Sequence, residues 1–260
     1  MKDRRVLLTG ATGGIGAALA RDLVAAGAFV VLQGRNQSAL ELLADSLGQA
    51  NTAIVCGDLT CSRQVESVAE EARSQRVNVL VNNAGVNEFT MFETSNLANT
   101  FAVNVTGPMQ LTQLLLGYFK SLGNALIVNI GSAFGAIGFP GYVTYCATKH
   151  AVKGFSEALG RELSDTKVKV LYVSPRATDT KMNSLAARHA NMALGVKSDT
   201  AGRVANRILR AMDNGERRSQ LGLIENLQIH LNALLPATVD RVISKQLPII
   251  KQFATLKEPR

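Results

Sequence analysis

Apolar residues fall in short runs at regular intervals, separated by stretches where apolar positions recur every three to four residues. The runs predict strands over 4–9, 28–33, 51–56, 77–82, 124–130, 167–173 and 218–222. The stretches between them predict helices over 14–26, 37–48, 62–75, 95–121, 143–163 and 199–213. Strands alternating with helices point to a parallel sheet buried on both faces. Right-handed crossovers place helices on both sides and open any ligand crevice at the carboxyl ends of the strands. The expected architecture is therefore α/β, a doubly wound parallel sheet of about seven strands. No repeat, low-complexity tract or linker interrupts the pattern, so 1–260 reads as a single domain.

Composition adds constraints. A chain of 260 residues with 47% apolar content can bury a large core, and with no Trp and 5% aromatics that core must be aliphatic. Cys56, Cys61 and Cys146 lack paired metal-ligand spacing and leave one thiol over in any disulfide scheme. Free thiols in a reducing compartment are expected. The first strand begins too near Met1 for a signal peptide, which adds to a cytoplasmic expectation. Residues 121–148 carry no charge, yet Asn124, Asn129, Pro140 and several glycines suit a buried strand and loop rather than a bilayer span. The net charge of +8 leans to the C-terminal part, with ten Lys/Arg against five acids from Ala201 onward. Without a recognisable binding module, a solvated basic face is the reading and no nucleic-acid partner is expected.

Two local constellations carry chemistry. The first strand runs into Gly10-Ala11-Thr12-Gly13-Gly14-Ile15-Gly16 and then a helix-forming run. Glycines admit an anion close to the backbone, and a helix N-terminus offers free N–H groups to a pyrophosphate. A plain tight turn is the alternative. Tyr145 and Lys149 lie four residues apart within one predicted helix, so phenol and ammonium share a face. An ammonium ~4 Å away at an effective dielectric of ~20 is worth roughly 4 kcal/mol, or roughly three pH units of phenol acidity. Desolvation opposes it, and the expected direction is downward.

Thr9-Gly10-x-x-x-Gly14-x-Gly16, Asn82-Asn83-Ala84-Gly85, Asn104, Ser132 and Tyr145-x-x-x-Lys149 stand in the order and spacing of the short-chain dehydrogenase/reductase family, which the chain resembles over residues 4–180. The resemblance implies a Rossmann fold and an oxidoreductase that moves hydride between a nicotinamide and a carbonyl or secondary alcohol. Its tetrad would be Asn104, Ser132, Tyr145 and Lys149. Ser132 would polarise the substrate oxygen, and Tyr145 would act as acid in reduction and base in oxidation. Lys149 would lower the Tyr145 pKa and hold the nicotinamide ribose, while Asn104 would hold a water relaying protons to Lys149.

For the dinucleotide the resemblance implies Gly10, Thr12, Gly14, Ile15 and Gly16 at the pyrophosphate, and Asp58 and Leu59 near the adenine; a cap on the next helix is the other reading of Asp58. Asn83, Ala84 and Gly85 would run beside the cofactor, with Tyr145, Lys149, Pro175, Thr178 and Thr180 at the nicotinamide end. An NAD-preferring site carries a carboxylate after the second strand, whereas this chain reads Gln33-Gly34-Arg35-Asn36. A guanidinium matches the extra phosphate, so NADP(H) is expected over NAD(H), with NAD(H) still possible because Gly13 stands where some members add a second base. Arg176 departs from the family's Pro-Gly; a cofactor-phosphate contact, an acidic-substrate contact and a solvent-facing side chain are the three readings. His150, His189 and His230 are given no catalytic or metal role. Oxidation of a sugar, steroid or acyl substrate, and a non-catalytic dinucleotide sensor, are the rival functions.

Two segments lie outside the motifs. Residues 181–198 read as a long irregular lid whose Met182, Leu185, Met192 and Leu194 suggest an apolar substrate. Beyond it, Ile224, Leu227, Leu231 and Leu234 recur at helical spacing, Pro236 interrupts, and Val239, Val242, Ile243 and Leu247 resume. This tail, 224–260, is expected to pack on the body or on a second subunit of a homo-oligomer. The alternative is an amphipathic helix on a membrane surface or against a hydrophobic substrate.

Overall fold

A computed structural model describes residues 1–255; the last part of the expected tail, 256–260, lies outside the described residues. Seven parallel strands form the sheet: β1 Arg5–Leu8, β2 Phe29–Gly34, β3 Thr52–Cys56, β4 Val79–Asn82, β5 Ala125–Ile130, β6 Val168–Ser174 and, after two short strands described below, β9 Arg218–Gln220. Their order is β3-β2-β1-β4-β5-β6-β9. The order reverses between β1 and β4, and that is where a doubly wound sheet opens its crevice. Every pairing in this sheet is parallel, and the side chains obey the two-residue period. Val6 and Leu8 enter one core and Leu7 the other, all at 0% exposure.

Helices α1 Gly14–Ala25 and α2 Gln37–Leu47 cover the first face together with α8 Ala201–Asp213. The opposite face carries α3 Ser62–Ser74, α5 Gly107–Leu122 and α6 Val143–Glu162. A buried polar chain stitches the sheet centre to this second layer. Asn82 Nδ2 donates to Asn129 Oδ1 (2.8 Å) and Thr112 Oγ1 (3.1 Å), and Asn129 Nδ2 donates to Ser156 Oγ (2.9 Å).

The single helix expected over 95–121 is instead α4 Leu97–Phe101, a π-helical turn at Ala102–Thr106, and α5. Pro108 supplies the reason, since it lacks the N–H and crowds the carbonyl four residues back, at Asn104. The lid expected to be irregular also differs. It begins at β7 Thr178–Asp179, contains α7 Leu185–Ala193 and returns through β8 Asp199–Thr200, which pairs with β7. The tail forms two helices, α9 Leu223–Leu234 and α10 Pro236–Ala254. They break where the sequence indicated, with Pro236 taking the first-turn position that suits its missing N–H. Among the described residues no helix is long and apolar enough to cross a membrane.

Candidate active site

The glycine turn is held from below. Thr9 Oγ1 accepts from the N–H groups of Asn83 and Ala84 (both 3.0 Å), and Asn83 Nδ2 donates to the carbonyls of Thr9 (2.9 Å) and Gly10 (3.2 Å). Gln33, buried at the end of β2, bridges the turn to the exit of β3: its Oε1 accepts from Gly10 N–H (3.3 Å) and its Nε2 donates to Gly57 O (2.7 Å). Three of its glycines leave no room for a side chain. A Cβ at Gly10, whose φ is +62°, would lie 2.8 Å from Ala84 Cα, and one at Gly14 would lie 2.6 Å from Thr180 Cγ2. A Cβ at Gly16 would strike the Gly10 carbonyl. Gly13, the N-cap of α1, has no side chain to cap the helix, so its first N–H groups stay available to a ligand.

Arg35 is exposed at the far end of the same crevice, and its guanidinium helps hold the Asp58 carboxylate below its ordinary range. The larger cause there is the Thr60 N–H, which donates to Asp58 Oδ1 (2.9 Å). Asp58 thus caps a turn with one oxygen; the helix that follows begins at Cys61 without a side-chain cap.

At the other end, β5 delivers Ser132 and α6 presents Tyr145 and Lys149. Ser132 and Tyr145 line the same stretch of the cavity wall, and Ser132 Oγ accepts from Phe134 N–H (3.2 Å). Lys149, buried, donates from Nζ to Ile130 O (3.0 Å), and this Nζ lies 5.6 Å from the Tyr145 ring centre. The expected fall in the Tyr145 pKa is not found: burial, the largest cause, raises it, and the Ser132 hydroxyl only partly offsets the rise. Burial also pushes the Lys149 pKa down to about 8. Desolvation prevails at both groups, and the Lys149 ammonium is engaged by the Ile130 carbonyl.

Asn104 sits within the π-helical turn, where its Oδ1 accepts from Val86 N–H (2.8 Å). Its Nδ2 donates to Val86 O (2.9 Å) and Thr148 Oγ1 (3.1 Å). Beside it, a cavity of about 10 Å³ borders both Asn104 and Lys149. That is close to the room one water needs.

One continuous cavity of about 870 Å³ unites these parts. Along it stand Gly10, Thr12, Gly14, Ile15, Gly16, Arg35, Asp58, Leu59, Asn83, Ala84 and Gly85. Ser132, Tyr145, Lys149, Pro175, Thr178 and Thr180 complete this wall, and only Asn104 of the expected residues stands outside, behind Lys149. The residues fit a dinucleotide: a glycine cradle, an uncapped helix start and a basic end. Among the described residues no cluster could hold a metal ion.

The remaining wall was not legible in the motifs. Phe134, Phe139 and Tyr142 pack as an aromatic group beside Tyr145, with ring centres 5.0 Å apart for Phe134 and Tyr142. Ile224, Leu231, Leu235, Val239, Val242 and Ile243 roof the cavity from the tail. The tail therefore packs on the body and also contributes to the pocket. Arg176, also on the wall, is engaged with Asp199 and Glu225 rather than pointing to solvent. A helical stripe ending beside a lid was the one available signal for the roof; the aromatic group had none beyond its proximity to Tyr145 in sequence.

The short chain dehydrogenase family model matches residues 4–191. The chain is 32% identical over 258 residues to dehydrogenase/reductase SDR family member 7B of Xenopus tropicalis, covering 91% of this chain and 83% of that protein. Among solved structures it resembles a short-chain dehydrogenase from Streptomyces avermitilis (28% identity, TM-score 0.79, 93% and 98% of the two chains). It also resembles 3-ketoacyl-(acyl-carrier-protein) reductase from Brucella melitensis complexed with NADH (25% identity, TM-score 0.77, 85% and 97%). Sequence motifs, sheet order and relatives agree: the chain belongs to the short-chain dehydrogenase/reductase family, oxidoreductases that use a nicotinamide dinucleotide.

Proposed function

We propose that this protein is an NADP(H)-dependent carbonyl reductase or alcohol dehydrogenase acting on an apolar substrate. The observation that carries the reading is the single cavity running from Arg35, past the glycine turn, to Ser132, Tyr145 and an apolar roof. The nicotinamide, when bound, exchanges hydride with the substrate carbon. The chain's own residues manage the oxygen and the proton. Ser132 donates a hydrogen bond to the substrate oxygen, where negative charge develops during reduction. Tyr145, kept protonated by burial, delivers its proton to that oxygen and takes one back in oxidation. Lys149, fixed by Ile130 O, orients the nicotinamide ribose and meets the small cavity beside Asn104, which leads the replacement proton inward. Phe134, Phe139, Tyr142 and the tail exclude water from the reacting centre.

Arg35 supports NADP(H), because no carboxylate stands at the end of β2 to repel a ribose phosphate. Exposed Met109, Leu122 and Val143 on α5 and α6 support a homo-oligomer. The test pairs NADPH and NADH dissociation constants with NADPH oxidation on a panel of apolar ketones, aldehydes and quinones. NADPH should bind more tightly, and Arg35→Asp should reverse the order, a shift of about 10-fold or more for one charge-assisted contact. Tighter NADH binding by the wild type removes the cofactor assignment, and binding without turnover on the whole panel removes the enzymatic one.

A further inference from the structure

Arg176 follows the buried Pro175 at the exit of β6, next to the nicotinamide-end residues Thr178 and Thr180. Its Nε donates to Asp199 Oδ2 (2.8 Å) and its Nη2 to Asp199 Oδ1 (2.7 Å), a two-pronged pair with a carboxylate only 7% exposed. Its third nitrogen, Nη1, stands 3.7 Å from Glu225 Oε1. Asp199 belongs to β8, where the lid returns, and its N–H donates to Ala177 O (2.8 Å). Glu225 belongs to the first turn of α9, where the roof begins. One guanidinium therefore joins the strand exit, the lid and the roof.

Resting on the proposed function, we infer that Arg176 is a positioning residue, latching lid and roof together over the substrate end of the cavity. A phosphate or acidic-substrate contact does not suit it. The bidentate fork is already spent on Asp199, and the charges of Arg176 and Arg203 are balanced by Asp199 and Glu225, so no surplus attracts an anion. Local backbone is shaped to the pairing. Gly222 has φ +94°, and a Cβ there would collide with the Glu225 carboxylate and come within 3.2 Å of Arg176 Cδ. Glu225 Oε2 is buried without a hydrogen-bond partner, so Arg176 is the compensation that lets this carboxylate remain inside. Removing Arg176 leaves Glu225 without its cation and Asp199 with Arg203 alone, and the Glu225 carboxylate withdraws toward water. The roof then parts from the lid.

The test compares wild type with Glu225→Gln, Arg176→Gly and Arg176→Lys in the full chain, using hydrogen exchange, NADPH binding and steady-state kinetics on a long-chain ketone. In Glu225→Gln, amides of 223–234 should exchange about fivefold faster, and KM should rise about fivefold with kcat within about twofold, the scale of one partly buried ion pair. Arg176→Gly should extend faster exchange to 194–200. Arg176→Lys, which keeps the charge and loses the fork, should fall between. NADPH affinity should hold within about twofold in all three. The latch is overturned if Arg176→Gly weakens NADPH binding with exchange at 223–234 unaltered, or if exchange and KM both stay at wild-type values. Hydrogen exchange reads the latch even if no ketone is turned over, so loss of the enzymatic assignment and loss of the latch remain separate results.

Discussion

At Tyr145 and Lys149, spacing alone indicated a shared helix face but not the balance of forces between them. The two residues do meet in one crevice, yet burial dominates both, raising the phenol pKa and lowering the ammonium to about 8. The partner of Lys149 Nζ is the Ile130 carbonyl at the end of strand β5, which no four-residue motif encodes. Tyr145→Phe should cut kcat by about 10²- to 10⁴-fold, the usual worth of a positioned acid, while NADPH binding measured by fluorescence is retained. Lys149 also predicts a pH signature. Its folded pKa lies below the unfolded value of 10.5, so between about pH 8 and 10 the unfolded chain binds more protons and stability rises with pH. Compared with Lys149→Met, the wild-type melting temperature should therefore climb by several degrees from pH 7.5 to 9.5 in calorimetry. The raised Tyr145 pKa acts oppositely, since above pH 10 the unfolded chain loses a phenol proton that the folded one keeps, and stability falls.

Elements with large buried side chains were the most readable. The seven main strands appear where apolar runs predicted them because both faces of the sheet are covered. Helix α7 escaped because its buried face is Ala186, Ala187 and Ala190, too small to register as a stripe, while Leu185 and Met192 are exposed. Its start was nevertheless marked: Ser184 Oγ accepts from Ala187 N–H (3.1 Å), an N-cap available to inspection. The glycine turn yields a paired prediction. Gly16 faces backbone at Gly10 and Ala11 on its own turn, whereas Gly14 faces Thr180 Cγ2 and Cβ, so relief there requires Thr180 to shift as a whole. Gly16→Ala should cost about 1–3 kcal/mol in denaturant unfolding. Gly14→Ala should change stability less and instead weaken NADPH binding by displacing Thr180.

Across the molecule, sequence placed the dinucleotide half of the cavity and left the substrate half open, because the roof is built by residues far along the chain whose facing depends on tertiary docking. Helical spacing identified α9 and α10 but not which stripe turns inward. Ile250, fully buried, and His189 against Phe253 (ring centres 6.2 Å) pin α10 to the body and to the lid, which turns Val239 and Ile243 toward the pocket. Ile243→Glu should raise KM for apolar ketones by about tenfold or more, reflecting a charge in an apolar wall, with NADPH affinity retained in titration.

The order of these parts along the chain has a temporal consequence. Residues 5–180 hold the whole cradle and the proton-handling side chains, whereas the roof spans 223–254. At roughly 5–20 residues per second of synthesis, roughly 4–15 s separate the emergence of one from the other. Nascent chains can thus gather the dinucleotide-binding half before the covering helices exist. Heredity meets the same separation: substitutions in the covering helices can redirect what is oxidised or reduced without rebuilding the part that handles the proton.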